Sequence, residues 1–281
     1  MTLDLDARQR AMLAEMGVRV WWPEHETQVA PITAPITAPT TAPTTAPKAP
    51  ELVALRTVEV PAQTAPAVDV QLGQRPDGID RMDWTQLQST VASCQACGLC
   101  RTRKQTVFGV GPAPSVGQVD WLIVGEAPGE HEDEQGEPFV GQAGKLLDNM
   151  LKASGLSRQA MGDATRGSVY ITNVLKCRPP GNRNPHPDEV AQCAPYLQRQ
   201  IALLNPKIMV AMGRFAVQAL LADSVTDVHN QPLGKLRGQV YRYQGVPVVV
   251  TYHPAYLLRS LSEKSKAWSD WCLAMAQLNP A

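Results

Sequence analysis

Asp120-Trp-Leu-Ile-Val124, running straight into Gly125-Glu-Ala-Pro-Gly129, decides the fold. A short apolar run that stops on glycine reads as a buried strand feeding a tight turn. Three further runs repeat the pattern: Ser168-Val-Tyr-Ile-Thr172, Lys207-Ile-Met-Val-Ala-Met212 and Val246-Pro-Val-Val-Val-Thr251. Helical stretches at about 142–154, 187–203 and 213–222 separate them. Continuously apolar strands alternating with helices argue an α/β fold, with a parallel sheet covered on both faces. A last helix around 262–277 closes the domain with Trp268, Trp271 and Leu273.

Ligands of an open parallel sheet bind beyond the carboxyl ends of its strands. Each unusual motif here falls at such an end. The first strand meets Gly125–Gly129 and the acidic Glu130-His-Glu-Asp133. The second meets Asn173 and the loop Cys177-Arg-Pro-Pro-Gly-Asn-Arg183. The third meets Gly213-Arg214, and the fourth Tyr252-His253-Pro254. The Gly125–Gly129 turn lets backbone amides approach a ligand closely. It is neither a dinucleotide G-x-G-x-x-G nor a Walker loop.

The cysteines are the second signal. Cys94 and Cys97 form a C-x-x-C pair, and Cys177 and Cys193 a second, wide pair. Four thiolates brought together make a cage for zinc or an iron–sulfur cluster, and spacing leaves the two open. Cys100 makes an overlapping C-x-x-C with Cys97, as a free thiol or an alternative ligand. Cys272 sits in an apolar helix and reads as a small core residue.

Composition bounds the rest. The 281 residues carry 26 Lys and Arg against 26 Asp and Glu, a net charge of zero, which excludes a globally basic nucleic-acid binder but not a local basic surface. No apolar stretch is long enough for a membrane span. The N-terminus carries acids early and lacks an apolar h-region, which argues against a secretory signal. The expected compartment is the cytoplasm, where clustered thiols stay reduced and free to ligate metal.

Three regions follow: an N-terminal helix and docking peptide over 1–25, a linker over 26–82, and the main folded domain over 83–281. Leu5, Met12, Leu13 and Met16 form an apolar stripe, with Gly17 as a C-cap. Pro31, Pro35, Pro39, Pro43 and Pro47 recur every four residues among Ala, Thr and Ile, an extended, semi-rigid spacer with little to bury.

The core resembles the family 4, iron–sulfur uracil-DNA glycosylases. The resemblance rests on Cys94-Gln-Ala-Cys97, Gly125-Glu-Ala-Pro-Gly129-Glu, Gly136-Glu-Pro-Phe139-Val-Gly141, Asn173-Val-Leu-Lys-Cys177-Arg-Pro-Pro, Cys193 and His253-Pro-Ala-Tyr-Leu-Leu-Arg259, in order over about residues 85–278. It implies a three-layer α/β/α sandwich with a four-stranded parallel sheet. It implies a [4Fe–4S] cluster on Cys94, Cys97, Cys177 and Cys193. It implies hydrolysis of the N-glycosidic bond of uracil flipped out of DNA. In the roles it carries over, Phe139 stacks on the base and Asn173 reads its Watson–Crick edge. His253 lies by uracil O2, Ala127 lines the substrate site, and Glu126 orients water or steadies the cationic sugar. Glu132 sits where a thymine methyl would go. Arg183 and Arg259 meet the DNA backbone, within a wider set of cations comprising Arg101, Arg103, Lys104, Lys176, Arg178, Lys264 and Lys266. Leu257 and Leu258 form a wedge for the vacated stack.

Taken singly, these residues have plainer readings: a core aromatic for Phe139, a turn residue for Asn173, a loop histidine for His253, an arginine partner for Glu126. The alternative function is a non-catalytic iron–sulfur DNA-binding module. A branch that traps the abasic site covalently carries a basic insert absent from Pro179–His186. Segment 8–23 resembles the N-terminal peptide of the psi subunit of the bacterial clamp loader, which implies a replisome partner. The expected state is a monomer.

Overall fold

A computed structural model describes Glu15 and residues 73–114, 118–159 and 167–278. Apart from Glu15, the expected N-terminal helix, the docking segment and the proline repeat lie outside the described residues.

Ile79 already packs with Leu87, Val91 and Tyr196, and α1 (Trp84–Ser93) then starts on a capping box. Asp83 accepts from the Gln86 amide, and the Gln86 side chain accepts from Asp83 N–H. The sheet is built from β1 (Trp121–Gly125), β2 (Val169–Asn173), β3 (Ile208–Met212), β4 (Val240–Tyr243) and β5 (Val246–Thr251), in the order β2-β1-β3-β5-β4. The first four in that order are parallel, and β4 is antiparallel to β5.

The sheet therefore has five strands, not the four expected. The addition is an edge hairpin whose two turn residues, Gln244 and Gly245, have φ of 48° and 88°. Two successive positive φ values make the turn whose twist suits a hairpin. At the other edge, Val110 and Ile171 exchange backbone hydrogen bonds of 2.9 and 2.8 Å, which covers the outer side of β2.

Six helices follow α1. They are α2 (Glu130–Gln135), α3 (Gln142–Ala153), α4 (Pro187–Leu204), α5 (Arg214–Leu221), α7 (Pro254–Arg259) and α8 (Lys264–Leu278), with the single turn α6 (Leu233–Leu236) between α5 and β4. Alternate residues of each strand feed opposite layers. Trp121, Ile123, Ile171 and Val210 pack with Leu147, Met150, Trp268 and Trp271 on one face. Leu122, Val124, Met209 and Val250 pack with Leu197, Ile201, Val217 and Leu220 on the other. The Trp121 and Trp271 rings stack at 5.6 Å, tying α8 to the first strand. Burying each such side chain contributes roughly 1.5–3 kcal/mol. The expected three-layer α/β/α architecture is present, and the carboxyl ends of the four parallel strands point their loops to one rim.

Candidate active site

At that rim lies a cavity of about 700 Å³. Glu126, Ala127, Glu132, Phe139, Asn173, Arg183, His253 and Arg259, all named from sequence, line it together. The volume is typical of a small-molecule site.

Asn173 ends β2 and is buried. Its Oδ1 finds no hydrogen-bond partner in the protein. An orphaned buried acceptor costs stability unless something fills its lone pairs, so it marks a place for a ligand N–H. Gly125, at the end of β1, makes room for it. A Cβ there would come within 2.4 Å of Asn173 Oδ1 and 2.6 Å of the Phe139 ring.

Phe139 adopts φ 55°, a conformation costly for a bulky residue. Two features hold it. The Gly144 backbone in α3 presses against it so closely that a Cβ there would overlap the Phe139 carbonyl oxygen. The Glu132 carboxylate accepts from the amides of Val140 (2.9 Å) and Gly141 (3.1 Å) with one oxygen and from Gly129 (3.0 Å) with the other. One α2 side chain thus joins the turn after β1 to the loop carrying Phe139.

The Phe139 and His253 rings stack at 5.4 Å. His253 caps α7, its Nδ1 accepting from the Ala255 amide at 3.2 Å. The neutral ring therefore carries its proton on Nε2. Burial pushes its pKa down to about 4; Arg259 adds to this and Glu132 opposes it. Burial raises the Glu126 carboxyl, and the charge of Arg214 counters this. Arg214 opens α5 beside the cavity, a role the sequence reading had not assigned.

Cys94, Cys97, Cys100, Cys177 and Cys193 line a second, smaller cavity. All six cysteines of the chain are free of disulfides. The Arg103 guanidinium donates to Cys177 Sγ at 3.1 Å, and the Tyr196 hydroxyl to Cys94 Sγ at 3.4 Å. Burial pushes Cys177 and Cys193 up to about 11 and about 12, so the bare thiols resist ionisation. A bound cation reverses this by deprotonating its ligands. Among the described residues, no three His, Cys, Asp or Glu side chains are grouped as a site for one metal ion. The cysteine thiols that line this cavity, with the Arg103 guanidinium on Cys177, are a donor set that fits zinc or an iron–sulfur group.

The uracil DNA glycosylase superfamily model matches residues 113–272. The chain belongs to this superfamily.

Within the superfamily it is similar to the type-4 uracil-DNA glycosylase of Archaeoglobus fulgidus, 43% identical over 185 residues, 64% of this chain and 86% of the relative. The type-4 uracil-DNA glycosylase of Pyrobaculum aerophilum is 42% identical over 193 residues, 67% and 91%. That of Thermotoga maritima is 40% identical over 177 residues, 62% and 82%. Every residue named above for the larger cavity falls inside the superfamily match, whereas Cys94, Cys97 and Cys100 precede it.

The structure redistributes the other residues expected to touch DNA. Lys104 pairs with Glu134 at 2.6 Å, Arg178 with Glu130 at 3.4 Å and Lys266 with Glu263 at 2.9 Å. Arg103 donates to Cys177 Sγ, and the buried Lys176 ammonium turns inward to Thr172 and Asn173. Arg183 lines the cavity but forks onto Glu189 at 2.9 and 2.6 Å, which leaves it fewer donors for phosphate. Leu257 is fully buried in the core and is no wedge; Leu258 and Leu261 are the exposed leucines of that loop.

Proposed function

We propose that this chain is a uracil-DNA glycosylase, which takes uracil flipped out of DNA and hydrolyses its N-glycosidic bond to leave an abasic site. The observation that carries the reading is the buried, unpartnered Asn173 Oδ1 beside the Phe139 ring and the Nε2–H edge of His253. A flat base stacked on Phe139 offers Asn173 an N–H for Oδ1 and a carbonyl for its amide. Among the pyrimidines, uracil and thymine present that pair, whereas cytosine presents an unprotonated N3 beside an amino group. Glu132 closes the wall where thymine carries its methyl.

Cleavage sends the glycosidic electron pair into the base, which leaves as a uracil anion. Charge gathers on O2, where the His253 Nε2–H donates. A neutral donor in a desolvated pocket favours the transition state over the ground state. The sugar becomes cationic and water adds at C1′. The Glu126 carboxylate orients that water and accepts its proton. Ala127 forms the floor of the base site through its backbone. Arg259 and Arg214 stand at the mouth for the flanking phosphates, with Arg183 contributing less. Leu258 and Leu261 are the apolar side chains placed to fill the vacated stack.

Cys94, Cys97, Cys177 and Cys193 would hold a [4Fe–4S] cluster, with Cys100 beside them. When bound, the cluster ties the segment before β1 to the loop after β2. The apolar segment 8–23 is the proposed docking peptide for a replisome protein, tethered by the proline-rich linker.

Release of free uracil from a uracil-containing oligonucleotide, against the same oligonucleotide with thymine, tests the reading. Tight DNA binding without release would favour a non-catalytic module.

A further inference from the structure

Lys176 is used neither by the base pocket nor as a cysteine ligand, yet it lies between the two. Its side chain is 1% exposed. Its ammonium donates to Thr172 Oγ1 at 2.7 Å and to the Asn173 carbonyl at 2.7 Å. It lines the cysteine cavity, within electrostatic reach of Cys193 and Cys177. Thr172 is itself fixed, its hydroxyl donating to Phe108 O at 2.9 Å, where Gln200 Nε2 also donates at 3.0 Å.

A buried lysine is costly, and it persists where its surroundings repay the charge. Here sulfur lies on one side, and a hydroxyl and a main-chain carbonyl lie on the other. That carbonyl belongs to the residue whose carboxamide faces the base.

We propose that Lys176 is a positioning residue that ties the cysteine cage to Asn173. With the Lys176 backbone hydrogen-bonded to the Cys193 sulfur, its ammonium holds the Asn173 peptide and so aims the carboxamide into the pocket. The link gives the cage a part in base recognition although no cysteine lines the base pocket. It rests on the pocket and cage assignments made above.

The test compares wild-type protein with Lys176→Met, which keeps the length of the side chain and removes its donors. Three quantities are read: iron per chain, exchange of the Val174 and Leu175 amides, and single-turnover uracil release beside affinity for undamaged DNA. At wild-type iron content, Lys176→Met should exchange those amides faster and release uracil roughly 10–100-fold more slowly, the usual cost of losing an orienting partner. Its DNA affinity should not change. Wild-type exchange and release in the iron-loaded variant would overturn the proposal.

Should Lys176→Met fail to fold, Thr172→Val decides. It removes one acceptor and leaves Phe108 O its Gln200 donor, and it should show the same changes in smaller degree; no change overturns the proposal. Wild-type protein without iron would defeat the cluster assignment alone, since the exchange difference still reports on Lys176.

Discussion

The Ala255 amide donates to His253 Nδ1 at 3.2 Å, which puts the proton of the neutral ring on Nε2, in a ring that stacks on Phe139 and lines the cavity. With its pKa held down to about 4, the ring stays neutral through the range where a free histidine titrates. Single-turnover uracil release should therefore show no limb at the free-histidine pKa. Its His253-dependent limb should lie near pH 4. The sign for stability follows. The unfolded chain binds the proton more readily, so His253 leaves stability intact above about pH 6.5 and lowers it as pH falls toward 4. His253→Ala should abolish most release and remove that part of the acid sensitivity of the melting temperature.

Glu132 is the bond between two loops. Glu132→Ala leaves the amides of Gly129, Val140 and Gly141 without their acceptor. Hydrogen bonds to a charged group contribute about 1.5–3 kcal/mol. The denaturation midpoint should fall accordingly, and uracil release should fall further, because Phe139 loses the support for its φ of 55°.

Gly144→Ala places a methyl on the Phe139 carbonyl. Either α3 moves or the ring leaves the cavity wall. Overpacking of this kind costs about 1–3 kcal/mol. Thermal melting should show the loss, and the folded fraction should release uracil more slowly than wild type at equal concentration.

If the proposed [4Fe–4S] cluster is bound, Cys193→Ala should remove its visible absorbance and most of the iron. It should also lower the melting temperature, since α4 then loses its tie to the loop after β2. Cys100→Ala should retain iron if Cys94, Cys97, Cys177 and Cys193 are the ligands. Metal analysis of the two purified variants distinguishes the cases.

Much of the fold was legible because the strands are buried on both faces and so read as unbroken apolar runs. The fifth strand was missed for the opposite reason. Val240-Tyr-Arg-Tyr243 alternates exposed and half-buried residues at an edge, and its signal was the Gln244-Gly245 turn rather than hydrophobicity. The short α2 was hidden in what read as an acidic loop. The pocket residues were legible through their motifs at strand ends, yet their supports were not. Nothing in a sequence shows that Glu132 reaches across to Val140 and Gly141, or that Lys176 points at Asn173 rather than at DNA. Those depend on where two loops lie relative to each other. Leu257 and Leu258 look alike as letters, and only the helical face of α7 separates the core residue from the exposed one.

The most direct measurement is single-turnover release of uracil from a labelled single-stranded oligonucleotide by wild type and Asn173→Ala, with iron content and visible absorbance recorded on the same preparations. Wild type should release uracil. Asn173→Ala should be slower by at least roughly tenfold, as expected where a buried polar partner is lost, with its iron unchanged. Equal release by the two proteins at equal iron content would contradict the assignment of this pocket to the base.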